Sequence, residues 1–181
     1  MNYLQEIEKK IFHSQEDFVN HLQKWKNENK KLVFTNGCFD ILHRGHADYL
    51  AKAASLGDVL LLGLNTDQSI QKLKGSSRPI VDEYSRAFLL ASFLFIDAVI
   101  FFNEDTPLDL IRFIQPDILV KGSDYKEENI VGAEIVKTKG GKIVTINFVP
   151  GFSTTAIIEK IKRIPDYRQL GLDLIEAYPS L

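Results

Sequence analysis

The stretch Leu32–His46, LVFTNGCFDILHRGH, decides how this chain folds. It opens on an apolar run, Leu32–Phe34, of the kind found in buried strands. A polar turn that contains glycine, Thr35–Cys38, follows the run, and a helical pattern extends over about Ala47–Ser55. A strand, a short turn and a helix in this order predict an α/β unit whose helix begins beside the carboxyl end of its strand.

His43 and His46 lie at the start of that helix, three positions apart and therefore on one face of its first turn. The first N–H groups of a helix have no partner within the helix, and they attract anions. Gly45, between the two histidines, lets a ligand approach the backbone closely. The pattern predicts a phosphate site at which both imidazoles donate hydrogen bonds to phosphate oxygens.

Five apolar runs have the composition of buried strands, and they alternate with helical patterns. Most positions within each run are apolar, as in strands that are covered on both faces. The runs are Leu32–Thr35, Val59–Leu64, Ala98–Phe102, Ile118–Val120 and Ile143–Phe148. The later helical patterns are Asp82–Phe95, Leu108–Ile114, Glu127–Lys139 and Thr154–Ile164. This alternation predicts an α/β protein with a Rossmann-like, three-layer α/β/α fold around a five-stranded parallel sheet.

The chain is predicted to be a single domain over residues 1–181, with its core at about 31–164. Its length of 181 residues suits one domain with a normal core. Residues 1–30 form an N-terminal extension, in which a helix is expected from Ser14 to about Asn29. Residues 165–181 are expected to form a C-terminal helical tail.

Composition excludes several classes of function. The formal net charge of −2 gives no general attraction to nucleic acid or to acidic membranes. No apolar run reaches the roughly 18 residues that span a bilayer, and the N-terminus lacks a signal-peptide pattern. These features predict a cytoplasmic protein. The single cysteine, Cys38, excludes an internal disulfide and a cysteine zinc cluster, so no metal site built by the protein itself is expected.

Two further segments can bind phosphate, since ligands of parallel sheets lie beyond the carboxyl ends of the strands. The run Lys72–Pro79, KLKGSSRP, is predicted to be a basic loop that can close over a phosphate chain. Arg78 of this run can bind two oxygens at once. The turn Gly151–Thr155, GFSTT, precedes the last core helix, where hydroxyl and N–H groups form a second anion cradle.

These motifs together resemble the cytidylyltransferase-like nucleotidyltransferases, and within them most closely the D-glycero-β-D-manno-heptose 1-phosphate adenylyltransferases. The resemblance covers about residues 31–164. It is carried by TNGCFDILHRGH at 35–46, NTD at 65–67, LKG at 73–75, RP at 78–79, EDTP at 104–107, LVKGSDY at 119–125 and FSTTAII at 152–158. The histidine motif alone indicates only the superfamily, whereas the LKG and VKGSDY stretches are more specific.

The resemblance implies transfer of AMP from ATP to the sugar 1-phosphate, with ADP-heptose and pyrophosphate as products. It implies three catalytic residues, His43, His46 and Lys74. The residues implied to bind the nucleotide are Asn36, Gly37, Cys38, Phe39, Gly45, Lys121, Gly122, Asp124, Gly151, Ser153, Thr154 and Thr155. The residues implied to bind the acceptor substrate are Asp40, Asn65, Asp67, Lys72 and Arg78.

One departure bears on the nucleotide. Glycerol-phosphate cytidylyltransferases carry an Arg-Thr pair where this chain has Phe148 and Val149, which argues against a simple CTP enzyme. Cytidylyl or adenylyl transfer to another sugar or polyol phosphate is the alternative, and a non-catalytic nucleotide-binding module is a more remote one. The resemblance also implies Mg²⁺ bound mainly through the ATP phosphates, a homodimer, and a separate sugar kinase in the pathway.

Overall fold

The computed structural model describes residues 2–125 and 127–164. Its strands are β1 (Ile11–Phe12), β2 (Leu32–Gly37), β3 (Val59–Asn65), β4 (Ala98–Phe102), β5 (Ile118–Gly122) and β6 (Lys142–Ile146). They form one parallel sheet in the order β1-β4-β3-β2-β5-β6. This arrangement confirms the predicted Rossmann-like class.

β1 is an edge strand that the sequence does not reveal, so the sheet has six strands rather than the predicted five. Ile11 pairs with Val99 and Phe12 with Ile100. The N–H of Val99 also donates to the carbonyl of Lys10 at 2.8 Å. A strand of two residues has no detectable hydrophobic period. It forms because β4 offers an edge that is otherwise unpaired.

Helices cover both faces of the sheet. They are α1 (Tyr3–Glu8), α2 (Gln15–Asn27), α3 (Arg44–Ala54), α4 (Asp67–Lys74), α5 (Glu83–Ala91), α6 (Leu108–Ile114), α7 (Ala133–Thr138) and α8 (Thr154–Lys162). In the part of the chain that the structure describes, none of these helices is both long and apolar enough to cross a membrane. The predicted tail at 165–181 lies outside the described residues.

Each face of the sheet carries its own hydrophobic core, which makes three layers. On one face α2, α6 and α7 pack on the strands through side chains that include Phe18, Ile111 and Val136. On the other face α3 and α5 pack through side chains that include Leu50 and Leu90. The sheet between them is buried, and β3 is buried along its whole length.

Two predicted helices have different limits in the structure. α3 begins at Arg44 rather than Ala47, because the carbonyl of His43 already accepts the N–H of His46 at 2.9 Å. The continuous helix predicted over Glu127–Lys139 is wrong. A short 3₁₀ turn, Glu127–Asn129, precedes α7, and Gly132 separates the two with a left-handed φ of 84° that a helix does not allow.

Helix α5 is shorter than the helical pattern predicted over Asp82–Phe95. Asp82 caps the helix, its carboxylate accepting the N–H of Ser85 at 2.9 Å, and the helix ends at Ala91. Its buried face consists of Arg86, Ala87, Leu90 and Ala91, whereas Leu89 is half-exposed.

The strand order places a change of direction beside β2. The chain passes from β2 outward through β3 to β4, and then returns to β5 on the other side of β2. In such sheets, ligands bind in the crevice beyond the carboxyl ends of the strands at this point. Asn36 and Gly37 end β2, and Lys121 and Gly122 end β5. Their side of the sheet is therefore the place to search for a site.

Candidate active site

A cavity of about 590 Å³ opens at the carboxyl ends of the strands. Its volume falls within the range of sites for small molecules and cofactors. The predicted site residues that line it are Asn36, Gly37, Cys38, Phe39, Asp40, His46, Asn65, Lys74, Arg78, Lys121, Gly122 and Thr154. Segments spread along the chain from Asn36 to Thr154 therefore contribute to one cavity.

The two histidines form a stacked pair at the start of α3. His43 is the N-cap residue and His46 lies in the first turn. Their ring centroids are 3.8 Å apart with an interplanar angle of 15°. Phe39 packs edge-on against His46, and Phe152 lies over His43. The Nδ1 atoms of both histidines are buried and have no hydrogen-bond partner among the described residues.

Burial keeps both imidazoles neutral at neutral pH. It lowers the pKa of His43, and it lowers the pKa of His46 to about 4. Proximity to His43 and to the cation of Lys74 adds to the lowering of the His46 pKa. A neutral imidazole donates one N–H. The pair therefore offers hydrogen bonds to an anion, and Lys74 supplies positive charge beside it.

The basic segment after β3 begins within a helix and not in the predicted loop. Thr66 caps α4, with its hydroxyl accepting the N–H of Ser69 at 3.2 Å, and the helix continues to Lys74. Lys72 and Lys74 therefore lie in the last helical turn, and Gly75 ends the helix with a φ of 90°. Lys74 lines the cavity, whereas Lys72 is not among the lining residues.

Asp40 and Arg78 join the turn after β2 to the loop after α4. Arg78 Nη2 lies 2.6 Å from Asp40 Oδ2, and the Asp40 side chain is only 2% exposed. Asp40 Oδ1 accepts the N–H groups of Ile80 at 2.8 Å and Val81 at 3.0 Å. Both residues line the cavity, but Asp40, predicted to contact the acceptor, is occupied in holding this loop.

Arg86 belongs to the site region, although none of the sequence motifs includes it. It is fully buried, and its guanidinium donates to Val81 O at 3.0 Å, Cys38 O at 2.7 Å and Asp67 Oδ1 at 2.7 Å. Asp67, predicted to contact the acceptor, is thus bonded to Arg86, and it does not line the cavity. An arginine on the apolar face of α5 was the signal that could have revealed this role.

The turn after β2 has a constrained backbone. Phe39 adopts a left-handed φ of 45°, which is uncommon for a residue other than glycine. A Cβ on Gly37 would lie 2.9 Å from the Phe39 ring, so a larger residue there would displace that ring. Asn65, at the end of β3, lies beside this turn. Its amide donates to Ser69 Oγ at 3.0 Å, and its Oδ1 is 4.0 Å from Cys38 Sγ.

Lys121 and Gly122 form the opposite wall. The ammonium of Lys121 donates to Asn36 Oδ1 across the gap between β5 and β2. Burial lowers the pKa of Lys121 to about 8, while the exposed Asp124 carboxylate acts in the opposite direction. The Phe148 ring covers Gly122, where a Cβ would clash with it, and lies 5.6 Å from the Tyr49 ring.

The glycine-serine-threonine turn caps α8. Ser153 Oγ accepts the N–H of Ala156 at 3.0 Å, and Gly151 has a φ of 85°. Thr154 lines the cavity; Ser153 and Thr155 are not among the lining residues. Phe152 joins this turn to the histidines, since a Cβ on Gly45 would lie 3.0 Å from Phe152 Cβ and 3.1 Å from the His43 ring.

A Rossmann-like sheet, paired neutral histidines at a helix N-terminus and a cavity lined by several cations are the features expected of an α/β domain of the nucleotidyltransferase class. The family model described as Cytidylyltransferase-like matches residues 34–160. The chain belongs to this family and is a nucleotidyltransferase domain. The membership predicted from the motifs is confirmed.

Known proteins give a more detailed comparison. The chain is 57% identical to the bifunctional protein HldE of Campylobacter jejuni subsp. doylei over 157 residues, which are 87% of this chain and 32% of that protein. It is 56% identical to HldE of Helicobacter pylori strain J99 over 142 residues, which are 78% of this chain and 30% of that protein. The chain spans about a third of the length of these curated relatives.

Two solved structures resemble the fold. A lipopolysaccharide core biosynthesis protein from Thermoplasma volcanium is 27% identical with a TM-score of 0.52, and the match covers 66% of this chain and 97% of that one. A pantoate-beta-alanine ligase from Francisella tularensis has a TM-score of 0.55 at 16% identity, over 91% of this chain and 80% of that one. The second likeness concerns the fold alone.

Proposed function

We propose that this domain transfers AMP from ATP to D-glycero-β-D-manno-heptose 1-phosphate and releases pyrophosphate. The observation that carries the proposal is the stacked pair of neutral histidines, of which His46 lines the cavity at the carboxyl edge of the sheet together with Lys74, whereas His43 is not among the lining residues. The high identity to bifunctional HldE proteins supports this choice of substrates over other nucleotidyl transfers.

In the proposed reaction, an oxygen of the sugar phosphate attacks the α-phosphorus of ATP in line with the leaving group. A new bond forms between that oxygen and phosphorus, and the bond from the α-phosphorus to the bridging oxygen breaks. The electron pair leaves with pyrophosphate. Both reactants are anions, so catalysis depends on positioning and on electrostatic stabilisation rather than on a covalent nucleophile.

The histidine wall consists of His43, His46, Lys74 and Thr154, and these residues act on the phosphates in three ways. His43 and His46 donate N–H bonds to phosphate oxygens, and those bonds strengthen as negative charge moves toward the leaving group. Lys74 neutralises part of that charge. Thr154 and the N–H groups that begin α8 hold the distal phosphates. The stacking of Phe152 on His43 keeps this cradle beside the histidines.

Mg²⁺ is proposed to enter with ATP as part of the nucleotide substrate. Within residues 2–125 and 127–164, no three side chains of His, Cys, Asp or Glu converge on a point that could hold a metal. Asp40, a carboxylate of the cavity, is engaged by Arg78 and by backbone N–H groups. Binding through phosphate oxygens and water suits this cation and this set of side chains.

The experiment that tests the proposal is product identification. The protein is incubated with Mg²⁺, heptose 1-phosphate and either ATP or CTP, and the nucleotide sugar is identified by mass spectrometry. ADP-heptose with ATP, together with little product from CTP, is expected. CDP-heptose as the main product, or efficient use of glycerol 3-phosphate in place of the sugar phosphate, would contradict the proposed substrates. ATP binding without any product would indicate a non-catalytic module.

We further propose that the protein acts in the cytoplasm as a homodimer and that a separate sugar kinase makes its acceptor. Exposed apolar side chains near the β1 edge support self-association; they include Tyr3, Leu4, Leu89 and Leu94, the last 90% exposed. Light scattering on the purified protein tests the dimer, and a monomer at micromolar concentration would contradict it.

Supplying unphosphorylated heptose with ATP tests the kinase proposal, and no nucleotide sugar is expected.

A further inference from the structure

Lys121 is a buried cation with an unusual partner. It ends β5, lines the cavity and is only 8% exposed. Its ammonium donates to the neutral amide oxygen of Asn36, and the Tyr125 ring lies 5.7 Å away. Among the described residues, no carboxylate lies within ion-pair distance of this ammonium. A buried charge without a counter-ion is unfavourable unless a ligand supplies one.

The other cations of this region are placed differently. Arg78 is paired with Asp40, and Arg86 is paired with Asp67. Those two arginines join chain segments, and each already has a carboxylate partner. Lys74 lies on the histidine side, where it influences His46. Lys121 therefore carries the positive charge of the opposite wall.

Lys121 lies at the point of the sheet where ligands of this fold class bind. β5 and β2 are neighbours on the two sides of the change of strand direction, and Lys121 and Asn36 end these strands. Ligands of open parallel sheets bind above this crevice. Asn36 holds the ammonium over the crevice without neutralising it, which leaves its charge available to an anion.

We propose that Lys121, oriented by Asn36, binds a phosphate oxygen of a substrate above the crevice between β2 and β5. The resemblance implies only that Lys121 binds the nucleotide. The crevice position, and the lack of a carboxylate within ion-pair distance among the described residues, favour a phosphate as its ligand. The inference rests on the proposed function, because that reaction brings two phosphate-bearing substrates into the cavity. Either the nucleotide or the sugar phosphate can supply the oxygen.

Binding of a phosphate beside Lys121 should be accompanied by uptake of a proton, which can be measured. A phosphate beside the ammonium stabilises its charged form, so a site that is partly deprotonated at alkaline pH takes up a proton when the ligand binds. Burial already places the pKa of Lys121 near 8. The titratable groups that surround it or share its cavity are Asp124, Tyr125, Tyr49, Cys38, Asp40, His46, Lys74, Arg78 and Asp105.

The test is calorimetric titration at pH 8.5 in two buffers that differ in ionisation enthalpy. One arm uses a non-hydrolysable ATP analogue with Mg²⁺, and the other uses glucose 1-phosphate. Uptake of a sizeable fraction of one proton is expected in the arm whose phosphate meets Lys121. Lys121→Met should abolish that uptake and lower the affinity for the same ligand by about 10- to 100-fold, since it removes a hydrogen bond to a charged group.

Two variants make the assignment specific. Lys52→Met removes an exposed lysine of α3 that pairs with Asp48, and proton uptake and affinity should match those of the unaltered protein. Lys121→Arg keeps the charge and should recover much of the affinity without the uptake, because arginine does not deprotonate in this range. Thermal unfolding of Lys121→Met establishes that it is folded.

Undiminished proton uptake and affinity in folded Lys121→Met would overturn the proposal. Equal uptake in Lys121→Met would also overturn it, because the proton would then bind to a group other than Lys121. Unchanged affinity of folded Lys121→Met for both ligands would overturn it as well. These results are separable from the product assay. A protein that makes ADP-heptose while Lys121→Met behaves normally keeps the proposed function and loses this inference.

Discussion

Replacing Arg86 with lysine should destabilise the fold more than any other single conservative charge substitution near the cavity. Arg86 is fully buried and makes three hydrogen bonds, to Val81 O, Cys38 O and Asp67 Oδ1, at 2.7–3.0 Å. A lysine side chain is shorter and lacks the planar fork of a guanidinium, so it can keep the bond to Asp67 but loses both carbonyl bonds. The substitution preserves the charge and tests geometry alone.

The magnitude follows from the two carbonyls that lose their donor. Each buried acceptor left without a partner costs about 1–3 kcal/mol. For Val81 O and Cys38 O together the expected loss in the free energy of unfolding is about 3 kcal/mol. Arg112→Lys is the matched control, because Arg112 is 60% exposed and pairs with Asp109 within one helical turn. Its effect should stay below about 0.5 kcal/mol.

Urea unfolding followed by circular dichroism measures both variants. A loss below about 1 kcal/mol for Arg86→Lys would refute the reasoning, since it would mean that the carbonyls find other donors. Turnover gives a second measurement. The Cys38 carbonyl belongs to the turn after β2, which lines the cavity. A folded Arg86→Lys protein should therefore also have a lower kcat, because that turn is misplaced.

Further predictions concern the histidine wall. His43→Ala or His46→Ala should lower kcat by orders of magnitude while changing the unfolding midpoint little, and a folded variant that retains near-normal turnover would remove the catalytic assignment. Lys74→Ala should reduce kcat more than Lys72→Ala, whose defect is expected in the KM for the acceptor; steady-state kinetics with the opposite pattern would exchange the two roles. Burial lowers the pKa of His46 to about 4 from an unfolded value near 6.5. Between these values the unfolded chain binds more protons, so stability should fall as pH falls, by about 1–2 kcal/mol from pH 7.5 to 5 after allowance for solvent screening. His46→Gln should flatten this dependence in urea unfolding, and an unchanged slope would contradict it.

Most of the sheet could be predicted because its strands are buried on both faces. Such strands are apolar at successive positions, and that composition identified β2 to β6 to within about two residues of their ends. β1 could not be found in this way, because Ile11 and Phe12 form a strand only through pairing with β4. Helix α4 was missed for a different reason. The lysines, glycine and serines at 72–77 suggested a loop, whereas the Thr66 cap starts the helix at Asp67.

The site could be predicted in composition but not in its internal bonding. The motifs at the ends of β2, β3 and β5 meet because parallel strands bring their carboxyl ends to one edge. Which charges pair across that edge depends on tertiary contacts between distant segments. The pairing of Asp40 and Asp67 with arginines could not be predicted for this reason, and their contacts with the acceptor stay a prediction. Nothing in their local sequence distinguishes a carboxylate that holds a loop from one that faces a ligand.

This pairing explains how the cavity can attract two anions and still remain ordered without them. The two arginines near the cavity have carboxylate partners and fix the turn after β2 against the loop at 78–81. Among the described residues, the cavity lysines Lys74 and Lys121 have no such partner. Pairing either of them with a carboxylate would reduce the attraction for phosphate, and releasing the arginines would loosen the walls. The separation of these two tasks predicts that arginine variants lose stability first, whereas lysine variants lose substrate affinity or turnover in a protein that still folds.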